Sequence, residues 1–541
     1  MRALLAFAAS AVVVAPAIAF THDAFLDTEG KFKILWTPPI ETERPSQENE
    51  IELQLEVAAM GLRRRLNTCD KGRDWKISRD TTRLLWAYSH SKPVSDSDYS
   101  RHSSRGVRSI HLLEAARQND FSRLTNRPEV TTIDILVENV SLPHDHHTLY
   151  WCQTYKMTEK RKHHLIGYEM VVQPGNERHV HHLLLFSCSN PAMEQHVGKA
   201  EPCFDSTSFK PSPTMMCTDR LIGGWAVGGE GYAYRADLGV PMFDTDDVTY
   251  ITVQMHYDNT DYVKDITDSS GMRLYLTRKL RQVETGRLTI KAPEYALTQI
   301  VPPLQTRFTT VVQCSSNCTG NLGPDEQLIV FGGILHSHIY GTAIRLRHIR
   351  NGVELRPILR DENYDFDYQN VVSPQEPVAI QAGDELILEC DYDTSRQPKT
   401  VLGGESTSEE MCQVYMEYYP RRETGAEMSC VSYPSVREVL TLLGPAFVNG
   451  SRGQIEDMRD GKTYGAYKWM VDRVFWDQAP ASDSKYKGSN LTEAFQELAR
   501  NGPWSEHCDI QPPGKEVGGK RRNRVMKAEY DSPVKNFELV L

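Results

Sequence analysis

The sequence lacks several features, and each absence excludes a class of protein. None of its 11 cysteines forms a Cys-x-x-Cys pair, which argues against a zinc ribbon or a thioredoxin-like site. After residue 20 no apolar run reaches the roughly 18 residues of a membrane-spanning helix, and the C-terminus carries no lipid-anchor signal. Positive charge is not in excess either. The formal net charge of −11 disfavours nucleic acid as the main partner.

The composition is that of an ordinary globular protein, with 40% hydrophobic and 25% charged residues over 541 positions. Residues 1–19 combine Arg2, an apolar run and the small residues Ala17-Ile18-Ala19, which together predict a signal peptide. We therefore expect a protein of the secretory pathway, either secreted or lumenal in a vesicle or the endoplasmic reticulum. Four Asn-x-Ser/Thr sequons fit this route, at Asn139, Asn317, Asn449 and Asn490.

The chain is predicted to be all-β. From about residue 130 to 419, short β-branched and aromatic runs alternate with Gly, Pro and Asn. A break over 296–308, which contains Pro302 and Pro303, indicates two consecutive jelly-roll-like β-sandwich domains. The predicted domains are 130–300 and 304–510, followed by a basic tail over 511–541. Helical segments are expected over 436–443 and 492–500.

The region 20–120 is predicted to be a shortened β-sandwich followed by a linker. Residues 31–36 and 51–57 alternate polar and apolar side chains, as half-buried strands do. Residues 91–108, rich in Ser, Asp and Arg, are typical of a loop. Nothing in this region indicates a function.

Residues 334–341 (ILHSHIYG) place His336 and His338 two positions apart in an apolar, glycine-flanked stretch. Side chains two apart on a strand point to the same face, so this pair can offer two imidazoles to one ion. A buried imidazole without a partner is costly. Since a His-x-His pair alone is more often solvated or hydrogen-bonded than metal-bound, its interpretation depends on other residues.

Three histidines of the first domain form a second group. His181 and His182 begin an apolar run, and His256 lies in residues 250–259 (YITVQMHYDN). Three imidazoles suit copper, zinc, iron or nickel, and the alternative for each is a hydrogen-bonded histidine of a sheet. Because adjacent residues on an ideal strand face opposite ways, His181 and His182 can share an ion only through a twist or bulge, or through different ring nitrogens.

Met411 gives the histidines of the second domain a third donor. A buried methionine is ordinarily a core residue, but a thioether beside two imidazoles is a soft donor set that favours copper, especially Cu(I). Met411 follows His338 at nearly the same spacing as His256 follows His182. This parallel between the two halves favours two metal sites.

These residues resemble the copper type II, ascorbate-dependent monooxygenases, and most strongly the dopamine-β-hydroxylase-like members. The motifs that carry the resemblance are WAVGGEG over 225–231, HYDN over 256–259 and RLRH over 345–348. The resemblance covers about residues 148–508. A weaker match over 26–57 points to the family's N-terminal sandwich, the DOMON domain, so 20–120 is interpreted as a shortened DOMON-like segment.

The resemblance implies two coppers per chain, with ascorbate as the reductant. The ligands of an electron-transfer copper would be His181, His182 and His256. Those of an oxygen-binding copper would be His336, His338 and Met411. Tyr415 matches a family position and is the predicted catalytic residue. The implied disulfides are Cys152–Cys203, Cys188–Cys217, Cys314–Cys430, Cys318–Cys508 and Cys390–Cys412.

Four positions depart from what the resemblance implies. Leu183, Ser337 and Ile329 stand where the family usually has Met, Thr and His, and none of them is an implied ligand. Cys69 lacks the partner that the family usually supplies. We therefore expect Cys69 to be accessible and to link two copies in a homodimer.

The expected function is hydroxylation of an activated C–H bond in a small molecule, with O2 and ascorbate. A phenylethylamine-type biogenic amine is the first substrate to consider, and Glu409, Glu410 and Asp258 are carboxylates near the predicted sites. The alternative is a secreted copper-binding protein without catalysis. Retention of Met411 favours the enzyme, because a chain released from catalysis would be free to lose it.

Overall fold

The protein is described by a computed structural model. The signal peptide predicted over 1–19, the sequon at Asn449 and residues 512–541 of the predicted tail lie outside the residues that it describes. The described residues are 22–25, 33–37, 50–55, 60–67, 69, 76–88, 104–113, 121–145, 148–203, 213–217, 219–226, 229, 231–244, 247–293, 298–404, 406–422, 427–435, 438–439, 442, 490–502 and 504–511.

The described residues of the N-terminal region form an antiparallel sheet of four strands and a separate hairpin. The sheet runs through β1 (His22–Phe25), β2 (Lys33–Thr37), β3 (Glu50–Leu55) and β4 (Met60–Arg65) in that order. The hairpin pairs β5 (Thr82–Tyr88) with β6 (Ser104–Ile110). The end of the predicted loop over 91–108 is therefore a strand. The relation of the sheet to a DOMON domain stays a prediction.

In the part of the chain that the structure describes, the first β-sandwich has thirteen strands and three short helices. The strands are β7 (Val130–Leu136), β8 (Val140–Ser141), β9 (Thr148–Met157), β10 (His163–Val171), β11 (Val180–Cys188), β12 (Ala200–Pro202), β13 (Arg220–Ala226), β14 (Tyr232–Ala233), β15 (Leu238–Met242), β16 (Thr249–Asp258), β17 (Thr267–Asp268), β18 (Gly271–Thr277) and β19 (Val283–Glu284). The helices are α1 (Ser122–Thr125), a 3-10 helix (Pro191–His196) and α2 (Pro213–Met216).

Two sheets of the first sandwich share one apolar core. One sheet has the order β19-β15-β10-β18-β7, with β14 beside β10, and the other has the order β12-β9-β16-β11-β13. Leu165 and Leu274 from the first sheet lie in the same core as Leu183 and Val253 from the second, and each is at most 1% exposed. Burying such a side chain stabilises the fold by about 1.5–3 kcal/mol. This core holds β11 and β16, which carry the predicted ligands.

The second β-sandwich contains the remaining strands, and its described helices include α3 (Ser316–Thr319) and α4 (Leu491–Asn501). The strands are β20 (Gly286–Lys291), β21 (Ile300–Val301), β22 (Phe308–Cys314), β23 (Gln327–His336), β24 (Gly341–Arg350), β25 (Val353–Glu354), β26 (Leu359–Asp361), β27 (Val378–Gln381), β28 (Glu385–Tyr392), β29 (Val401–Leu402), β30 (Gln413–Tyr419), β31 (Met428–Pro434) and β32 (Trp504–Cys508). The two large sheets have the orders β27-β23-β30-β20-β31-β32 and β22-β28-β24-β25, with β26 beside β24. The predicted all-β sandwich fold is confirmed.

Strand β20 joins the second sandwich, whereas the predicted limits of the first domain, 130–300, include it. It pairs with β30 and, in parallel, with β31. Leu288 and Ile290 on β20 are fully buried in the second core. By strand pairing the transition therefore falls between β19 and β20, ahead of the break over 296–308. The predicted domain limits otherwise stay predictions.

Disulfides stabilise both sandwiches, and a helix packs against the second. All five disulfides implied by the resemblance are present. The helix predicted over 492–500 is α4, which begins with a capping box between Asn490 and Glu493 and packs Phe495 and Leu498 into the core. Among the described helices, none has the length and apolar composition needed to cross a membrane.

The two sandwiches meet through buried charges. Arg287 on β20 donates to Glu417 Oε1 at 2.9 Å and to the carbonyl of Leu221 in the first sandwich. Tyr234, also in the first sandwich, donates to the same Glu417 oxygen at 2.9 Å. Glu427 Oε1 accepts from the Leu221 N–H at 2.7 Å. The contacts made by Leu221 and Tyr234 cross the interface and fix how the sandwiches face each other.

Candidate metal centre

A bulge brings the first group of predicted ligands to one side of a sheet. His256 on β16 lies directly opposite His182 on β11, and the register of the two strands shifts between Val180 and His182. The residue inserted by this shift is His181, which is thereby released from regular alternation. A bulge is one of the arrangements that let two adjacent histidines share one ion.

The Nδ1 atoms of the three histidines converge. His182 Nδ1 lies 3.2 Å from His181 Nδ1 and 3.2 Å from His256 Nδ1. Two imidazole nitrogens bound to one ion at about 2.0 Å, at a near-tetrahedral angle, are about 3.3 Å apart. The Nε2 atoms of His181 and His256 are buried and have no hydrogen-bond partner among the described residues. The Nδ1 separations therefore fit a shared metal ion.

The first group is neutral and available to a cation. Burial lowers the pKa of His181 to about 4, and repulsion from His336 adds to this effect. Burial also holds the pKa values of His182 and His256 well below their usual range. Deprotonated imidazoles keep their lone pairs for a metal. Tyr150 on β9 stacks on the His256 ring, with centroids 4.3 Å apart, and restricts its orientation.

In the second group, hydrogen bonds select the ring nitrogens of His336 and His338. His336 Nδ1 lies 2.7 Å from Gln369 Oε1, and His338 Nδ1 lies 2.9 Å from the carbonyl oxygen of Glu409. An acceptor beside Nδ1 places the proton there and leaves the lone pair on Nε2. Burial lowers the pKa of His338 to about 3. Both rings can therefore offer Nε2 to a metal.

Met411 lies next to Gln413, which is not among the predicted site residues. Met411 is 7% exposed, and its Sδ lies 3.4 Å from Gln413 Nε2. The Tyr415 hydroxyl donates to Gln413 Oε1. Gln413 also lies opposite His336 in the pairing of β30 with β23. The thioether, the predicted catalytic tyrosine and one histidine therefore meet around Gln413.

Glu410 connects the loop that carries His338 to the loop that carries Met411. Its carboxylate is fully buried and accepts from Ser337 Oγ at 2.8 Å and from the N–H groups of His338, Tyr340 and Met411 at 2.9, 2.7 and 3.2 Å. Burial raises the pKa of Glu410 to about 7, although these donors oppose the shift. Because four donors of the chain itself bind this carboxylate, Glu410 holds the loop in place. It is therefore not a candidate for binding a substrate amine.

The two ligand groups face each other where the sandwiches meet. The ring centroids of His182 and His336 are 6.3 Å apart. Phe366, between β26 and β27, stacks on His181 with centroids 4.5 Å apart and meets His338 edge-on at 6.0 Å. A phenyl ring therefore lies between a ligand of one group and a ligand of the other.

The structure brings all the predicted ligands into one continuous centre, to which Tyr415 is connected through Gln413. Their role as copper ligands stays a prediction. Sequence reasoning missed Phe366, Gln369 and Gln413. The first two lie in an irregular segment without periodicity, and Gln413 lies on a strand where its polar side chain gives no sign of a thioether nearby. The remaining three-residue cluster of potential ligands in the described residues, Cys314, Cys318 and Cys430, belongs to two disulfides.

Comparison with known proteins defines the family. The model of the copper type II ascorbate-dependent monooxygenase N-terminal domain matches residues 133–264, and that of the C-terminal domain matches 286–439. The second match begins where β20 begins. The chain belongs to the copper type II ascorbate-dependent monooxygenases, a family whose cofactors are copper and ascorbate.

Curated relatives agree with this membership. The chain is 32% identical to "DBH-like monooxygenase protein 1" of Gallus gallus over 74% of its own length and 64% of the relative's. It is 33% identical to the Homo sapiens protein of the same name over 70% and 60%. It is 31% identical to "Putative DBH-like monooxygenase protein 2" of Homo sapiens over 71% and 74%. The chain thus spans less than two thirds of the first two relatives.

Proposed function

We propose that this chain hydroxylates an activated C–H bond of a small molecule, using two coppers, O2 and ascorbate. The observation that carries the proposal is the convergence of three imidazole Nδ1 atoms opposite two imidazoles directed to offer Nε2, with a thioether nearby. The electron-transfer copper would be held by His181, His182 and His256. The oxygen-binding copper would be held by His336, His338 and Met411.

Bound copper would supply one-electron transfer at the first site and reaction with O2 at the second. The protein orients the donor atoms and buries them. Gln369 and the Glu409 carbonyl hold the two rings of the second site, and Gln413 places an N–H beside the thioether. Phe366 places an apolar ring between the ligand groups, because it stacks on His181 and meets His338 edge-on.

Phenylethylamine-type biogenic amines are the first substrates to test. An ammonium group needs an acceptor near the second site, and with Glu410 engaged by the loop, Asp258 and Glu409 remain the proposed carboxylates. Tyr415 is the proposed catalytic residue, since its hydroxyl lies within the hydrogen-bonded chain that ends at Met411. The predicted signal peptide and the disulfides support a secretory location for this activity.

Oxygen uptake in the presence of copper, ascorbate and a panel of phenylethylamines tests the proposal. Met411→Ile should abolish substrate-dependent uptake while copper stays at the three-histidine site, as read from metal content and the Cu(II) EPR spectrum. Met416→Ile is the matched control, because Met416 is fully buried in the core of the second sandwich. Full activity in Met411→Ile would overturn the ligand assignment. Two bound coppers without uptake for any substrate would favour a silent copper-binding protein.

A further inference from the structure

One segment touches ligands of both proposed copper sites. We call residues 361–369 the bridging segment. Its Phe366 stacks on His181, and its Gln369 accepts from His336 Nδ1 at 2.7 Å. Its Tyr364 hydroxyl is hydrogen-bonded to the backbone of Ser337, the residue between the two histidine ligands of the second site. The position of the bridging segment therefore affects both ligand groups at once.

The β5–β6 hairpin, taken together with Thr81 directly before it and His111 directly after it, holds the start of the bridging segment. The N–H of Thr81 donates to Asp361 Oδ1 at 3.0 Å, and its hydroxyl donates to Asp361 Oδ2 at 2.5 Å. His111 Nε2 lies 3.0 Å from the same hydroxyl and 3.7 Å from the carboxylate. Thr81 and Asp361 are 1% and 3% exposed. Although burial opposes ionisation, hydrogen bonds from His111 and Thr81 hold the pKa of Asp361 below its usual value.

The hairpin also holds the middle of the bridging segment. Asp365 Oδ2 accepts from Ser109 Oγ at 2.5 Å and from Arg83 Nε at 2.9 Å. Further along, the hydroxyl of Tyr368 accepts from the His111 N–H at 3.3 Å, and the two rings meet edge-on with centroids 5.0 Å apart. The hairpin contacts thus flank Phe366 on both sides, at 365 and 368.

Contacts within the bridging segment are short in range. Gln369 Nε2 donates to the Phe366 carbonyl at 2.9 Å, and the N–H groups of Asn363 and Asp367 return to carboxylates two residues earlier. Bonds of this kind shape a turn but do not fix its place on the protein. Charge-assisted bonds are about twice as strong as neutral ones. They reach Asp361 and Asp365 from the hairpin side, and they reach Glu362 from Arg345 on β24.

We propose that the β5–β6 hairpin is a positioning element of the two-copper centre, which clamps the bridging segment so that Phe366 stays between the two ligand groups. The inference rests on the proposed copper sites. The hairpin lies outside both segments matched by the family models, which begin at residue 133. A region whose sequence indicates no function thereby acquires one, through Thr81, Arg83 and Ser109.

The test is the magnetic coupling between two Cu(II) ions in the full chain, because dipolar broadening of the EPR spectrum falls with the cube of their separation. The test variant is Thr81→Val with Ser109→Ala, which removes hydroxyl donors of the hairpin and leaves the bridging segment and all ligands intact. The matched control is Thr131→Val with Ser141→Ala, which changes the same residue types at exposed positions of the first sandwich. Copper content and the urea midpoint are measured for each protein.

We expect two coppers in all three proteins and at least a twofold loss of dipolar splitting in the hairpin variant alone. Should that variant not fold, Arg83→Leu serves instead, since Arg83 is 46% exposed and its loss removes a partner of Asp365 without opening the core. Two coppers with unchanged splitting in the folded variant would overturn this inference and leave the proposed function intact. A wild type that does not bind two coppers would overturn both.

Discussion

Arg287 offers the sharpest test of the interface that holds the two ligand groups together. Its guanidinium is 10% exposed, donates to Glu417 at 2.9 Å and lies 3.7 Å from Glu427 Oε1. It also donates to the Leu221 carbonyl across the interface. Arg287→Met keeps most of the apolar length and removes the cation between two largely buried carboxylates.

The size of the effect follows from what is left behind. Removing one partner of a buried ion pair costs about 3–5 kcal/mol, because the other charge stays buried without compensation. The Leu221 carbonyl also loses its donor, which alone costs about 1–3 kcal/mol. This cost does not simply add to that of the broken ion pair, because the groups are in contact. We expect Arg287→Met to lower the free energy of unfolding by about 3–5 kcal/mol above pH 7, a large part of a typical total of about 5–15 kcal/mol.

The loss should depend on pH. Burial raises the pKa of Glu427 to about 7 in the folded protein, and Arg287 opposes that rise. A folded-state pKa above the unfolded value means that the folded state binds the proton more tightly, so stability falls as pH rises from about 4.5 to 7. Without Arg287 the pKa of Glu427 rises further. The destabilisation should therefore be smaller at about pH 6 than at about pH 8.

Urea unfolding followed by tryptophan fluorescence measures both effects. Adding Glu427→Gln to Arg287→Met should recover part of the lost stability and flatten the pH dependence. Arg178→Met is the control, since the Arg178 and Asp261 side chains are each 64% exposed and such a pair contributes about 0–1 kcal/mol. A loss below about 1 kcal/mol for Arg287→Met at both pH values would refute the reasoning.

Two further predictions concern Gln413 and Cys69. Gln413→Leu removes the N–H beside Met411 Sδ and the acceptor of the Tyr415 hydroxyl, so copper at the second site should bind about tenfold more weakly in Cu(I) chelator competition, while the three-histidine site is unchanged. Because Cys69 is exposed, wild type should give a disulfide-linked dimer on non-reducing electrophoresis and Cys69→Ser should not. A monomeric wild type whose thiol resists alkylation would contradict the second prediction.

Sequence patterns predicted the sandwiches because buried and exposed side chains alternate along their strands. In β28 the buried residues Leu386, Leu388 and Cys390 alternate with more exposed ones, which is the period of a half-buried strand. The same geometry made the adjacent pair His181 and His182 informative, since it allowed a shared ion only through a twist, a bulge or different ring nitrogens, and β11 contains a bulge at this point. These features are encoded within a few residues of chain.

Long-range features escaped sequence reasoning. β20 pairs in parallel with β31, far along the chain, and no local pattern encodes that choice. β6 contains Ser104, Arg105, Gly106 and Arg108, a composition typical of loops, and its pairing with β5 overrides that composition. The contact of Phe366 with two ligand groups likewise arises only when the first and second sandwiches are assembled.

The loop that carries the second ligand group gives a last prediction, which concerns Glu410. Its Oε1 accepts from the Tyr340 N–H, and its Oε2 accepts from the Ser337 hydroxyl and the N–H groups of His338 and Met411. Glu410→Gln has one acceptor oxygen, and its amide N–H₂ must face at least one of these donors. A buried donor left unpaired costs about 1–3 kcal/mol.

That penalty falls on a loop that holds both His338 and Met411, so it should appear as weaker copper binding at the second site. We expect a loss of about tenfold in Cu(I) affinity there, which corresponds to about 1.4 kcal/mol, with the three-histidine site unchanged. The measurement belongs at about pH 8, above the Glu410 pKa of about 7. Glu409→Gln is the matched control, because its backbone carbonyl still accepts from His338 Nδ1. Equal affinity of the two variants would show that Glu410 does not position the ligands.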